Sequence, residues 1–244
     1  MMTALLNVLA YAAIPAAAVV IGGIVAAVRA PGAAARSAVQ HFAAGVVFAA
    51  LATELLPDVM HRALPLVTII GFSLGVGVML GLKMLTQSPD QNAPESQEPE
   101  RQPRSLILTL AVDFTLDGFL IGVGFAAGAK QGVLLTIALA LEALFLGGSG
   151  ATALSGANAS RNRVILTTVG FAALLLGGAS AGTVLLRGVS GAVLDAVLSF
   201  GVAALLYLVT EELLVEAHET PETPLLSTMF FLGFLVLLVM EMLV

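Results

Sequence analysis

Apolar residues run along this chain in eight long stretches separated by short polar breaks, at about 4–28, 39–60, 64–82, 105–127, 132–154, 164–186, 192–214 and 225–244. A helix needs about 20 apolar residues to cross a bilayer, so each stretch predicts one transmembrane helix. The pattern therefore predicts an all-α polytopic membrane protein of eight spans in a single domain. The one long break, 87–104, sets Pro89, Pro94, Pro99 and Pro103 among polar residues. Such a composition cannot bury itself and is expected to be a disordered loop dividing three helices from five.

Composition sharpens the class. Hydrophobic residues make up 59% of the chain and charged residues 11%, with a mean hydropathy of +1.03, which excludes a soluble globular domain of this length. There is no cysteine, so disulfides, thiolate metal ligands and thiol nucleophiles are excluded. The net charge of −6 and the lack of a basic patch argue against nucleic acid as a partner; the expected surroundings are a lipid bilayer, at the cell membrane. The first apolar run has no basic residue before it, Arg29 being the first, so it reads as a span and not as a cleaved leader. No nucleophile–base pair or cofactor motif falls within the spans, so neither an enzyme nor a bound cofactor is expected.

The ten basic residues set an orientation, since short cytoplasmic loops are enriched in Lys and Arg. Arg29, Arg36, Lys83, Arg101, Arg104, Arg161 and Arg163 share one side, and Arg62, Lys130 and Arg187 the other. Both termini are then outside and loop 87–104 is cytoplasmic. Small residues at four-residue spacing, Gly71 with Gly75, Gly77 with Gly81, Gly118 with Gly122, Gly124 with Gly128 and Gly178 with Gly182, predict close helix crossings. Gly118, beside Asp117, is also a candidate for a site role, and a homodimer through the glycine faces is a possible further use.

The polar exceptions within the spans are mostly acids. Asp113 and Asp117 are one turn apart on one helix face, roughly 12 and 18 Å into a hydrocarbon layer whose midplane is near 15 Å. Glu142 sits near the middle of the fifth span with no polar neighbour for several residues. No Lys, Arg or His falls in the middle of any span, so these acids must be protonated, paired with one another or bound to a cation. Glu211 and Glu212 lie nearer an interface. Asp195 and Glu241 read as interfacial, and His41, His61 and His218 as surface histidines. A short internal match, Glu54-Leu55-Leu56-Pro57-Asp58 against Glu212-Leu213-Leu214-Val215-Glu216, falls on spans of opposite direction, as in transporters built from inverted repeats.

With these residues in view the chain resembles the ZIP (Zrt/Irt-like) family of divalent metal transporters. His41 to Val46 leading into Glu54-Leu55-Leu56-Pro57-Asp58 is similar to the family's second helix, and Glu211-Glu212-Leu213-Leu214-Val215-Glu216 to its seventh. The family's His-Asn-x-Pro-Glu-Gly motif of helix four reads Asp113-Phe114-Thr115-Leu116-Asp117-Gly118 here, and helix five aligns with Glu142 at the leading His, Leu146 at the acid and Gly147 at the glycine. The resemblance implies an inverted repeat of helices 1–3 and 6–8, a metal site at Asp113, Asp117 and Glu142 with Glu211 or Glu212, and a divalent cation of the Zn, Mn or Fe class as cargo. Every nitrogen ligand is gone from the motif, leaving an all-oxygen set of the kind that suits Mn²⁺, Mg²⁺ or Ca²⁺, while Zn²⁺ still binds carboxylates.

The sequence thus reads as a transporter moving a divalent cation toward the cytoplasm by alternating access, with Glu216, His218 and Glu219 receiving it. Two other readings stay open: a ZIP-like protein that has lost metal transport and moves another solute by carboxylate protonation, and a non-transporting membrane interaction module.

Overall fold

The computed structural model describes residues 2–28, 32–86, 103–157, 159–221 and 223–243. Its described residues form eight helices long and apolar enough to span a membrane: α1 (Met2–Val28), α2 (Ala33–Arg62), α3 (Pro65–Thr86), α4 (Pro103–Ala127), α5 (Ala129–Gly156), α6 (Arg161–Leu185), α7 (Ala192–Ala217) and α8 (Pro224–Leu243). All eight predicted spans are present. α4 begins at Pro103, inside the loop expected at 87–104, because a proline at the first helical position gives up no hydrogen bond; residues 87–102 lie outside the described set. With eight crossings, the start of α1 and the end of α8 share one face of the bundle, the terminal face, and the end of α3 and the start of α4 lie at the other, the loop face.

α2 starts six residues before the predicted span and α7 runs three residues beyond it. These extensions meet at the loop face, where Ser37 Oγ donates to the Ala217 carbonyl at 2.8 Å. Each end therefore supplies a partner to the other.

Packing follows a paired scheme. α1 lies on α5 and α4 on α6, α2 on α8 and α3 on α7, and the centre is closed by α1 on α6 and α4 on α5. Glycine makes these crossings possible, since helices in lipid associate by close backbone contact and not by hydrophobic exclusion from water. A Cβ at Gly118 would overlap the Leu175 carbonyl and one at Gly178 the Thr115 carbonyl; at the other crossing, Gly147 meets Val19 and Gly22 meets Leu144 in the same way. Gly45 and Gly233 seat α2 against α8 at Phe230 and Phe42, while Gly75 seats α3 against α7 at Phe200. The predicted pairs Gly71–Gly75, Gly118–Gly122 and Gly178–Gly182 are thus used within the bundle, and Gly118 serves a helix crossing. A Cβ at Gly77 or Gly81 would meet nothing within 4 Å among the described residues.

Two of the helices are not α-helical throughout. Leu51–Leu55 of α2 and Leu208–Leu213 of α7 form π turns. In α2 the turn precedes Pro57, which cannot donate to the Thr53 carbonyl and crowds it. α7 carries Val215 at the matching place and bulges all the same. A proline is therefore not what both share; each wide turn carries glutamates, Glu54 in one and Glu211 with Glu212 in the other.

Candidate functional site

The mid-span acids singled out in the sequence, Asp113, Asp117 and Glu142, are buried in the protein. Asp117 and Glu142 are fully enclosed and Asp113 is 5% exposed. Both carboxyl oxygens of Asp117 and both of Glu142 lack any hydrogen-bond partner among the described residues. That is an unusual condition for a native interior, where buried polar groups are satisfied as a rule. Each such group calls for a proton, a water or a bound ion.

α4, α5 and α7 bring these groups toward one another. Glu142 lies within electrostatic reach of Asp117, Asp113 and Glu212, and Asp113 within reach of Glu212, Asp117 and Glu216. The set is gathered without being closed: among the described residues, no three His, Asp or Glu side chains stand near enough to hold a metal ion as a ready-made cluster. A cation entering here would have to draw the carboxylates inward.

The two glutamates of the α7 turn part company. Glu212 is half-buried and faces the acids of α4 and α5. Glu211 is about half exposed and forms an ion pair with Lys83 of α3 at 2.9 Å, beside the Tyr207 ring, whose centroid is 5.9 Å from Nζ. Successive side chains of the turn point in different directions, and here only Glu212 faces inward. One turn further on, Glu216 accepts a hydrogen bond from Ser149 Oγ of α5 at 2.8 Å.

The structure also says what fills the places where the family motif has other residues. Phe114 is fully buried and its ring lies 5.1 Å from that of Phe171 on α6, so this position packs the α4–α6 crossing. Leu146 is buried in the apolar core. Gly147 meets α1 as Gly118 meets α6, each five residues after an acid, Glu142 and Asp113.

Several expectations about other residues are corrected. His41 is buried, not superficial; its Nδ1 donates to the Ser37 carbonyl at 2.9 Å, and its ring lies 5.2 Å from that of His218, whose Nδ1 bonds the Leu214 carbonyl. Asp195, read as interfacial, is enclosed between helices near the terminal face. Glu54 is buried in the α2 turn with Oε1 unpartnered, in the electrostatic field of Glu241, Lys130 and Asp58 near the terminal face. Its place in the internal match to α7 is the sequence signal that marked it.

No protein-family model matches the chain, and no curated protein matches it. The residues themselves therefore speak for the molecule: it is an all-α, polytopic membrane protein, a bundle of eight spanning helices whose enclosed carboxylates lie on α2, α4, α5 and α7, an architecture consistent with the ZIP resemblance.

Proposed function

We propose that the chain transports a divalent cation of the Zn, Mn or Fe class across the membrane, toward the cytoplasm, through the carboxylates Asp113, Asp117, Glu142 and Glu212. The observation that carries this reading is the group of fully buried, unpartnered carboxyl oxygens on Asp117 and Glu142, with no protein cation paired to them among the described residues. Maintaining such groups in a membrane interior is unfavourable by several kcal/mol per charge, as order of magnitude, unless a cation or proton compensates. In this reading the loop face is cytoplasmic and the termini are outside, as the distribution of Lys and Arg suggests. Glu211, bridged to Lys83, bounds the inner path instead of binding the ion.

The paired crossings support an inverted repeat. Exchange of α1 with α6, α2 with α7, α3 with α8 and α4 with α5 carries the principal helix contacts onto themselves, and the glycine contacts follow the same exchange. α1–α3 and α6–α8 start from opposite faces, so the relation is inverted, with α4 and α5 between the halves. Two such halves rocking about a fixed site give alternating access.

A second reading is favoured by one observation, the absence of a ready-made ligand cluster among the described residues: the carboxylates are proton carriers for the movement of another solute. Uptake of Zn²⁺, Mn²⁺, Fe²⁺ and Cd²⁺ into proteoliposomes, beside the Asp113→Asn, Asp117→Asn double variant, separates the two. Metal-selective uptake that the variant loses supports the first. A folded protein that takes up no metal above empty liposomes sinks it and leaves the second.

A further inference from the structure

Away from the acids of α4 and α5, at the start of α7, one more carboxylate is enclosed without adequate company. Asp195 is fully buried and Ser199 is 1% exposed. They are one turn apart on one face of α7, near the terminal face. Asp195 Oδ1 and Ser199 Oγ have no hydrogen-bond partner among the described residues. Asp195 Oδ2 accepts from Thr68 Oγ1 of α3 at 3.3 Å, a long contact for a hydroxyl donor. Thr68 has a single proton, and the same oxygen also lies 3.1 Å from the Leu64 carbonyl, so Asp195 receives at best a shared bond.

Ser199 is as telling as the acid. Hydroxyls elsewhere in the spans, those of Thr53, Thr115, Thr136, Thr152, Ser180, Thr183 and Thr210 among them, turn back to the carbonyl four residues earlier. Ser199 forgoes that bond. A carboxylate on a first helical turn ordinarily sits in water or accepts an N–H of its own turn; Asp195 does neither, being sealed beneath the α3–α7 crossing, where Gly71 meets the Ala196 carbonyl.

The equivalent place on α2 makes the point by contrast. In the register that lays Glu54 on Glu212, Ser37 falls on Asp195 and His41 on Ser199. There the protein partners each side chain at least once, Ser37 Oγ with the Ala217 carbonyl and His41 Nδ1 with the Ser37 carbonyl, and only His41 Nε2 is left over among the described residues. At the start of α7 the two oxygens are left to something else.

We propose that Asp195 Oδ1 and Ser199 Oγ bind a sodium ion between α7 and α3, with Thr68 orienting the carboxylate. Hard oxygen donors select a hard cation. One carboxylate supplies one negative charge, so a monovalent ion leaves the pocket neutral, whereas a divalent ion would leave a buried net charge with nothing to offset it. The two orphaned oxygens are one helical turn apart on one face, so a single ion between them would satisfy both. A proton on Asp195 would still leave Ser199 unpaired. The site is separate from the proposed divalent path and stands whether or not that path carries metal.

The test is binding of ²²Na⁺ to the purified full-length protein in detergent, with thermal unfolding followed in NaCl, KCl and choline chloride at equal ionic strength. Saturable ²²Na⁺ binding and a rise in Tm with sodium but not choline are expected. Asp195→Asn should abolish both, and Ser199→Ala should weaken binding by roughly tenfold or more, the equivalent of one lost ligand. The Asp113→Asn, Asp117→Asn variant should bind sodium as the parent does. A folded parent with no saturable sodium binding overturns the proposal and makes Asp195 a protonated helix contact or the partner of a water. So does binding that both the Asp195 and Ser199 variants retain, or binding lost only in the Asp113, Asp117 variant. If Asp195→Asn does not fold, Ser199→Ala decides alone.

Discussion

Helices α4 and α5 are built to the same plan and differ where chemistry is concerned. Each crosses a neighbour through a glycine set against a carbonyl, Gly118 on Leu175 and Gly147 on Val19. Each places an acid five residues before that glycine, Asp113 and Glu142. Only α4 has a second acid directly before the glycine, Asp117, where α5 has Leu146. The backbone crossing thus tolerates either an acid or an apolar side chain at that position. Packing requires the glycine and leaves the neighbouring residue to function.

The largest effect should come from the shared element. Gly118→Val and Gly147→Val each force a side chain into a helix backbone that cannot yield, so both should destabilise beyond the roughly 1–3 kcal/mol of ordinary overpacking. Loss of the monodisperse peak in size-exclusion chromatography is the expected readout for both. Tolerance of one and not the other would break the equivalence of the two crossings.

Making α5 copy α4 comes next. Leu146→Asp buries a new carboxylate and should lower stability by about 3 kcal/mol in the absence of divalent cation. On the proposed function, Mn²⁺ should restore part of the lost Tm; no restoration would mean that position 146 does not face the ion. The converse change, Asp117→Leu, removes two unpartnered oxygens and should raise stability by on the order of 2 kcal/mol, while metal uptake falls by at least about tenfold, the least expected for a lost ligand. A Tm that drops instead would show that Asp117 is satisfied in the folded protein.

The smallest effect belongs to the exposed member of the α7 pair. Glu211→Gln removes a partly solvated ion pair, worth about 0–1 kcal/mol, and should leave uptake nearly intact. Glu212→Gln, facing the acids of α4 and α5, should reduce uptake severalfold at similar stability. Equal losses in the two variants, measured in the same proteoliposomes, would erase the distinction drawn between them.

A good part of the candidate site is legible in the sequence alone. Asp113, Asp117 and Glu142 stand out because a carboxylate inside an apolar run has no inexpensive explanation. Glu211 and Glu212 stay undecided at that level, since adjacent residues in an interrupted helix cannot be assigned a face without knowing the π turn. His41 and Asp195, both near predicted span ends, are where position along the chain misleads. At His41 the extended ends of α2 and α7 cover one another at the loop face, and at Asp195, at the opposite end of α7, α3 supplies the cover, so a residue close to an interface by position is enclosed by the bundle. Nothing in the local composition reports that cover.

What the sequence determined by itself was the number and place of the helices and the three mid-span acids Asp113, Asp117 and Glu142. Those are local properties: a run of about 20 apolar residues is a span whatever its neighbours do. Which side of each helix faces protein was decided only by the tertiary structure. In a soluble protein an apolar stripe marks the inner face, but here lipid and core are equally apolar and the spans are hydrophobic all round. Orientation then follows from which glycines let two backbones meet, and through them Asp117 and Glu142 come to lie inside, Glu211 outside, and Asp195 sealed beneath α3.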